Sequence, residues 1–247
     1  MGNKKQDILI ITDNPYLAQR FEREVWSLVH RSRYNLNYKC SPYSLPDNFQ
    51  IHSNIASVDL KEKEAITDLI SYDLAISIHC KQLFPKKLIE NVRCINVHPG
   101  YNPINRGWYP QVFSIIKNTP IGATIHEIDE QLDHGNIIAR EFVEKFEFDT
   151  SKTLYDRVVD KEIELLKNNI QSLLDNSYAV VKPEKQGTLY LKKDFNNLCE
   201  LDVEKKYTLK EAIDLLRALT HGNHNNAYFM TRNHKKVYVS INFKHEK

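Results

Sequence analysis

Cys94-Ile95-Asn96-Val97-His98-Pro99-Gly100 is an apolar, β-branched run that carries two polar residues two positions apart and closes on proline and glycine. In a strand, successive side chains alternate faces, so Asn96 and His98 point the same way, about 7 Å apart along the backbone. Pro99 and Gly100 stop the strand. Both polar groups therefore fall at its carboxyl end, where open α/β sheets hold their ligands. A carboxylate returns later in the chain, at Leu132-Asp133-His134-Gly135. An amide donor and an imidazole on one face, met by a carboxylate from a loop, are the parts of an acyl-transfer site.

The flanking sequence makes this strand one of a series. Residues 7–12 read as a buried strand closed by the turn signal Asp13-Asn14-Pro15, and residues 16–32 carry Leu17, Phe21, Val25, Leu28 and Val29 at helical spacing. The opening is β-then-α, as in nucleotide-binding folds, but its turn holds no glycine and no GxGxxG, so no dinucleotide site is inferred. Further on, the spacing predicts helices over 61–71, 85–91, 107–117 and 153–174, with strands over 72–79, 92–98, 123–128 and 137–146. Strands alternating with helices imply an α/β fold, a mostly parallel sheet covered on both faces. A Lys/Pro/Glu-rich connector at 180–186 separates a catalytic region, 1–180, from a small α+β appendage, 187–247. The appendage reads as a strand over 187–191, a helix over 209–219 opened by Thr208 and Glu211 at capping-box spacing, and a hairpin of 227–231 with 236–243. Such a tail is thin for independent stability, so a homodimer is expected to complete it.

Composition narrows the function. The 247 residues hold 34 Lys and Arg against 32 Asp and Glu, a net charge of +2, which argues against a nucleic-acid partner while leaving room for a local phosphate pocket. No run of about 18 apolar residues exists and no signal segment precedes Ile8, so the expectation is a cytoplasmic protein with no membrane association. Cys40, Cys80, Cys94 and Cys199 form no CxxC pair and read as isolated thiols. Cys80, at a strand end near the proposed site, is a rival nucleophile, but no base partners it in the sequence. His221, His224 and His234 cluster in the tail without a cysteine or carboxylate signature, and no metal is expected.

The pattern Asn96-Val97-His98-Pro99, followed by Gly122-Ala123-Thr124-Ile125-His126 and then Asp133-His134-Gly135, resembles the folate-dependent formyltransferases. The likeness is strong over roughly residues 70–145 and implies a Rossmann-like formyltransferase core. Residues 99–110, ending Arg106-Gly107-Trp108-Tyr109-Pro110, are most similar to the nucleotide-sugar N-formyltransferases, which act on dTDP-linked amino-dideoxysugars made for lipopolysaccharide O-antigens. The resemblance implies 10-formyltetrahydrofolate as donor and a sugar amine as acceptor. It assigns Asn96 to the oxyanion, His98 to the amine proton and Asp133 to orienting His98 or assisting the transfer. It places the donor along Ser77, His79, Lys81, Gln82, Leu83, Phe84, Ile128 and Asp129. The nucleotide sugar falls to Tyr101, Asn102, Arg106, Gly107, Trp108, Tyr109 and Pro110, with Lys192 from the tail; Arg106 and Lys81 are the expected diphosphate cations, and Trp108 and Tyr109 the stacking rings.

Each residue also has a plainer reading. Asn96 can cap a turn, His98 can be a satisfied core histidine, and an aspartate in D-x-G is often a turn residue. Lys192 and Lys193 read as a solvated strand edge. It is the joint occurrence of Asn96, His98 and Asp133 that favours chemistry. Three other functions fit the same residues: a 10-formyltetrahydrofolate hydrolase, where water replaces the amine, a formyltransferase for another amine acceptor, and a folate- or nucleotide-binding module without activity.

Overall fold

The computed structural model describes residues 4–51, 54–244 and 246; residues 1–3 of the polar amino-terminal stretch lie outside these. The chain forms β1 (Gln6–Thr12), β2 (Tyr34–Cys40), β3 (Ile55–Ser57), β4 (Leu74–Ile78), β5 (Arg93–His98), a short β6 (Arg106–Gly107), β7 (Ile121–Glu127) and β8 (Ile137–Val143). Seven of these make one sheet in the order β3-β2-β1-β4-β5-β7-β8. β7 pairs antiparallel with both β5 and β8, and the remaining pairs are parallel. The mostly parallel sheet expected from the alternation of elements is what forms.

Alternation along β1 explains how the sheet is covered. Ile8 and Ile10 face one side with Leu74, Ile76, Ile78, Ile95 and Val97, against the helices α1 (Pro15–Arg20) and α5 (Ser151–Asp175). Leu9 and Ile11 face the other side with Ala75 and Cys94, against α2 (Lys63–Leu69) and α3 (Lys86–Ile89). Each fully buried Ile or Leu of these faces contributes about 1.5–3 kcal/mol. α5 is the longest element, opened by Thr150, whose hydroxyl accepts the Thr153 N–H, and it carries Val158, Val159, Ile163, Leu166 and Ile170 into the core.

After α4 (Pro110–Lys117) and α5 come β9 (Leu189–Tyr190), α6 (Lys192–Cys199), α7 (Leu209–Leu219) and the hairpin β10 (Tyr228–Met230) with β11 (Lys236–Tyr238). The tail shares its core with the rest: Phe195, Ala218, Leu219 and Ala227 pack with Val112, Phe113 and Ile115 of α4 and with Leu154 and Val158 of α5. β9 runs parallel to β6, pairing Leu189 with Arg106 and Tyr190 with Gly107.

Three departures from the sequence reading have physical causes. The helix expected over 16–32 stops at Arg20, widens into a π turn over Phe21–Val25 and tightens into a 3₁₀ turn over Trp26–Leu28. Leu17, Phe21, Val25 and Val29 recur every four residues, and the wider turn keeps them on one buried face; Leu28 falls off that stripe and is exposed. β2 and β3 escaped because their strands are short or asparagine-rich, with only Tyr34, Tyr38 and Cys40 of β2 fully buried. Lys192 and Lys193, expected on a strand edge, instead begin α6, whose first turn is set by Asp194 accepting the Leu191 N–H at 2.7 Å.

Candidate active site

The parallel pairing of β4 with β5 and the antiparallel pairing of β5 with β7 bring three chain segments to one sheet end. Asn96 stands opposite His126, and His98 opposite Thr124. The loop after β7 returns with Asp133, held in the left-handed region at φ 48°. That conformation is uncommon for a non-glycine residue. It is fixed here by Asn102, whose Nδ2 donates to the Asp133 carbonyl at 3.1 Å, and by Arg106, whose Nε and Nη2 donate to the Leu132 carbonyl at 3.2 and 2.8 Å.

Asp133 is the hub. Its Oδ1 accepts from Asn96 Nδ2 at 3.0 Å and its Oδ2 from the Gly107 N–H at 2.9 Å. His98 Nδ1 lies 3.5 Å from Oδ2. On the far side of the ring, His98 Nε2 lies 2.6 Å from the Asn105 carbonyl oxygen. A carbonyl only accepts, so Nε2 carries the proton and Nδ1 is the bare, basic nitrogen. His126 has the opposite tautomer: its Nδ1 donates to the Glu127 carbonyl at 2.6 Å, leaving Nε2 to accept from Asn96 Nδ2 at 3.2 Å. Both amide hydrogens of Asn96 are thus engaged, one by Asp133 and one by His126. The free oxyanion donor expected from the sequence has partners in this state.

Electrostatics follow from burial. Burial pushes His98 below the ordinary imidazole value of 6.5, against the pull of Asp133 and the Asn105 carbonyl, so it rests neutral. Burial alone would raise the Asp133 carboxyl, but the neighbouring His98 and His126 and the Gly107 N–H outweigh it and hold the group well below the usual carboxylate range. The two statements are reciprocal: the carboxylate is worth most to His98 at the moment that Nδ1 takes a proton. The rival role of Cys80 as nucleophile is disfavoured, since burial pushes the thiol up to about 12.

These groups line a cleft of about 590 Å³. Ser77, His79, Lys81, Gln82, Leu83, Phe84, Ile128 and Asp129 lie on its wall, as do Gly107, Trp108, Tyr109 and Pro110, together with Asn96, His98 and Asp133. Leu83, 71% exposed, with Phe84 and Ile128 offers an apolar surface fit for a flat heterocycle. The Gln82 side chain, by contrast, is spent on the chain behind it, accepting the Leu60 N–H and donating to the Val58 carbonyl at 2.9 Å each.

Four expected substrate residues are placed elsewhere. Tyr101 stacks on Phe142 with centroids 3.7 Å apart, and Asn102 is buried against Thr124 and Asp133. Arg106, expected as a diphosphate cation, is buried, and its Nε and Nη2 donate to the Leu132 carbonyl. Lys192 stands beyond the wall, its Nζ 5.8 Å from the Trp108 ring centroid.

A model of the family described as formyl transferase matches residues 34–170. The chain belongs to the formyltransferase family. A second model, the N-formyltransferase dimerization C-terminal domain, matches residues 194–245 of this formyltransferase. A dTDP-4-amino-4,6-dideoxyglucose formyltransferase from Mycobacterium tuberculosis is 46% identical over 185 residues, covering 74% of this chain and 79% of that protein. Among solved structures, a sugar N-formyltransferase from a Shewanella species superposes with a TM-score of 0.93 at 38% identity, covering 98% of this chain and 99% of the other. A 4-N formyltransferase from Francisella tularensis does so with a TM-score of 0.90 at 42% identity, again covering 98% and 99%.

The sequence reading of this formyltransferase missed His126 as a member of the hydrogen-bonded floor, and Tyr155 and Leu191 on the wall. Only His126 had a readable signal: Thr124 and His126 alternate onto the same face of β7, as Asn96 and His98 do on β5. Tyr155 comes from α5, whose stripe reads as core packing, and Leu191 from the tail.

Proposed function

We propose that this formyltransferase moves the formyl group of 10-formyltetrahydrofolate to the amine of a dTDP-linked amino-dideoxysugar, with dTDP-4-amino-4,6-dideoxyglucose as the first acceptor to test. The observation that carries the reading is the convergence of three groups on the floor of a cleft with one apolar wall: Asn96 Nδ2 donates to Asp133 Oδ1 at 3.0 Å, and the bare His98 Nδ1 lies 3.5 Å from Asp133 Oδ2. The named substrate of the 46% identical mycobacterial relative supports the choice of sugar. In this reading residues 1–180 carry the chemistry, residues 187–247 join two copies, and the enzyme works in the cytoplasm towards O-antigen.

The bound donor supplies an N-formyl group against the apolar wall of Leu83, Phe84 and Ile128. His98 Nδ1 takes a proton from the attacking amine and returns it to the nitrogen that leaves, so no net proton is made in that step. Once protonated, Nδ1 becomes a donor to Asp133 Oδ2, an interaction gained only as charge develops. Asn96 keeps one amide hydrogen on Asp133 and turns the other, now on His126 at 3.2 Å, to the oxyanion; such a donor is worth about 3 kcal/mol. Trp108 and Tyr109 face the sugar nucleotide, and Lys81, with no ion-pair partner among the described residues, faces its diphosphate.

The test is an assay with both ligands that follows the N-formyl sugar by mass, with wild type and His98→Ala run together. Product from the wild type and a loss of about two orders of magnitude or more in the variant is the expected result. Folate hydrolysis without formyl sugar would move the reading to a hydrolase, and binding without turnover to a non-enzymatic module.

A further inference from the structure

One buried titratable cluster on the cleft wall has no part in the chemistry above. Glu162, in the middle of α5 and 0% exposed, sits among the core residues Val158, Val159, Ile163 and Leu166. Among the described residues its sole hydrogen-bond partner is His79 Nε2, which lies 2.9 and 3.0 Å from the two carboxylate oxygens. An apolar side chain would fill this place without the cost of desolvating a carboxylate. His79 follows the last residue of β4 and is held at φ 56°, a conformation uncommon for a side chain of its size. Its other nitrogen, Nδ1, is 3.2 Å from the Tyr155 hydroxyl, which also accepts from Asn14 Nδ2 at 3.4 Å. Tyr155 and His79 both line the cleft. A carboxylate, an imidazole and a hydroxyl therefore run in line from the core to the open site.

Proton accounting gives the line a task. His98 has one open nitrogen, and it is occupied by the proton shuttled from the attacking amine to the leaving nitrogen. An alkyl amine, however, reaches the site near neutral pH largely as ammonium. A further proton must leave before the nitrogen has a lone pair to attack with.

We propose that Tyr155, His79 and Glu162 form a second proton path that strips the ammonium proton from the acceptor before His98 acts. The proposal rests on the formyl-transfer reading. Tyr155 Oη takes the ammonium proton as its own O–H proton passes to His79 Nδ1, which leaves a neutral amine, an intact tyrosine and an imidazolium on Glu162. His79, 13% exposed at its side chain, returns that proton to water. No oxidant or further reactant is needed. The charged and titratable groups around the line are His98 across β5, Asp13 and Lys81 beside the His79 backbone, and Asp156 and His221 beside Tyr155. Asp13 is already engaged by Ser41 and the Lys81 N–H, and His221 by Ser151.

The test compares kcat/KM for the amino-sugar acceptor from about pH 6 to about pH 9 in the full-length wild type, Glu162→Gln and Tyr155→Phe, each with a melting curve. Near pH 6.5, both variants are expected to lose about 30-fold or more. That deficit narrows at least tenfold by about pH 9, where more of the acceptor arrives as free amine. A deficit that stays constant across pH in Tyr155→Phe, or no deficit, overturns the path. Should Glu162→Gln fail to fold, Tyr155→Phe alone decides. A wild type that makes no formyl sugar at any pH overturns the formyl-transfer reading and the path together; an active wild type with parallel profiles overturns the path alone.

Discussion

His98 Nε2 is held 2.6 Å from the carbonyl oxygen of Asn105, and this contact decides which nitrogen of His98 is bare on the side of Asp133. The same contact leaves no room at Gly100, where an added Cβ would stand 2.5 Å from both His98 Nε2 and the Asn105 oxygen. Gly100→Ala is therefore expected to tilt the imbalance of contacts against the ring and displace Nδ1 from the amine. A fall in kcat of about 10²-fold is expected, since small misplacements of a catalytic group cost that much, with a modest drop in melting temperature. A variant with normal kcat would show that the ring does not depend on the Asn105 anchor.

The pH dependence follows from burial. In the proposed reaction His98 acts as a base in its neutral form, and burial holds it below the ordinary value of 6.5, so the acid limb of kcat/KM should fall below that value. Asp133→Asn removes the carboxylate that favours the charged imidazole, and the limb should move lower still while kcat falls. Stability carries the same sign for the two groups. Asp133, depressed in the fold, contributes stability above the ordinary carboxyl value of 3.8, and this is lost as pH falls through its folded value. His98, also depressed, makes the fold lose stability as pH drops below 6.5, because the unfolded chain takes up the proton first. Melting curves of wild type and both single variants across that range check each sign.

In the proposed function Arg106 holds a loop and Lys81 meets the diphosphate, and the two cations give different predictions. Arg106→Lys keeps the charge but not the two N–H groups that hold the Leu132 carbonyl. It should lower both kcat and melting temperature, with little effect of salt on the change. Lys81→Ala should raise KM for the nucleotide sugar about tenfold while leaving the melting temperature near that of the wild type, and the difference should shrink at high ionic strength. An Arg106→Lys enzyme with a salt-sensitive rise in KM alone would restore arginine to the diphosphate.

How much of this was open to inspection in the sequence depends on how local each signal is. The pairing of Asn96 with His98 was legible because strand alternation and a closing proline fix both side chains within one short segment. The seven-stranded sheet was legible in type but not in extent: Tyr34–Cys40 and Ile55–Ser57 carry too few apolar residues to stand out. Arg106 was legible as a cation near the site but not in its contacts. Whether an arginine faces a ligand or a backbone carbonyl depends on the loop at Leu132, which the sequence near Arg106 does not specify. Glu162 was invisible because a charged residue on a long amphipathic helix reads as solvent-facing, and here it is turned into the core by its pairing with His79.

Gly107 ties the tail to the Asp133 carboxylate. Its N–H donates to Asp133 Oδ2, it pairs with Tyr190 across β6 and β9, and the next residue, Trp108, donates its N–H to the Tyr190 carbonyl at 2.8 Å. At φ 90° it occupies a backbone region open to glycine, and a Cβ there would meet the Tyr190 oxygen at 2.0 Å. Gly107→Ala must therefore open the β6–β9 pair and pull the N–H away from Asp133. Both kcat and the KM for the nucleotide sugar should suffer, because the carboxylate loses a donor and Trp108 loses its place on the cleft wall. A substitution in the tail that weakens the same pair without touching the cleft, Leu189→Gly, should reproduce the direction of both effects at about one tenth of the size. Steady-state kinetics for the two variants check the link; a Leu189→Gly enzyme indistinguishable from the wild type would mean that Asp133 is set by Asn96 and Asn102 without help from the tail.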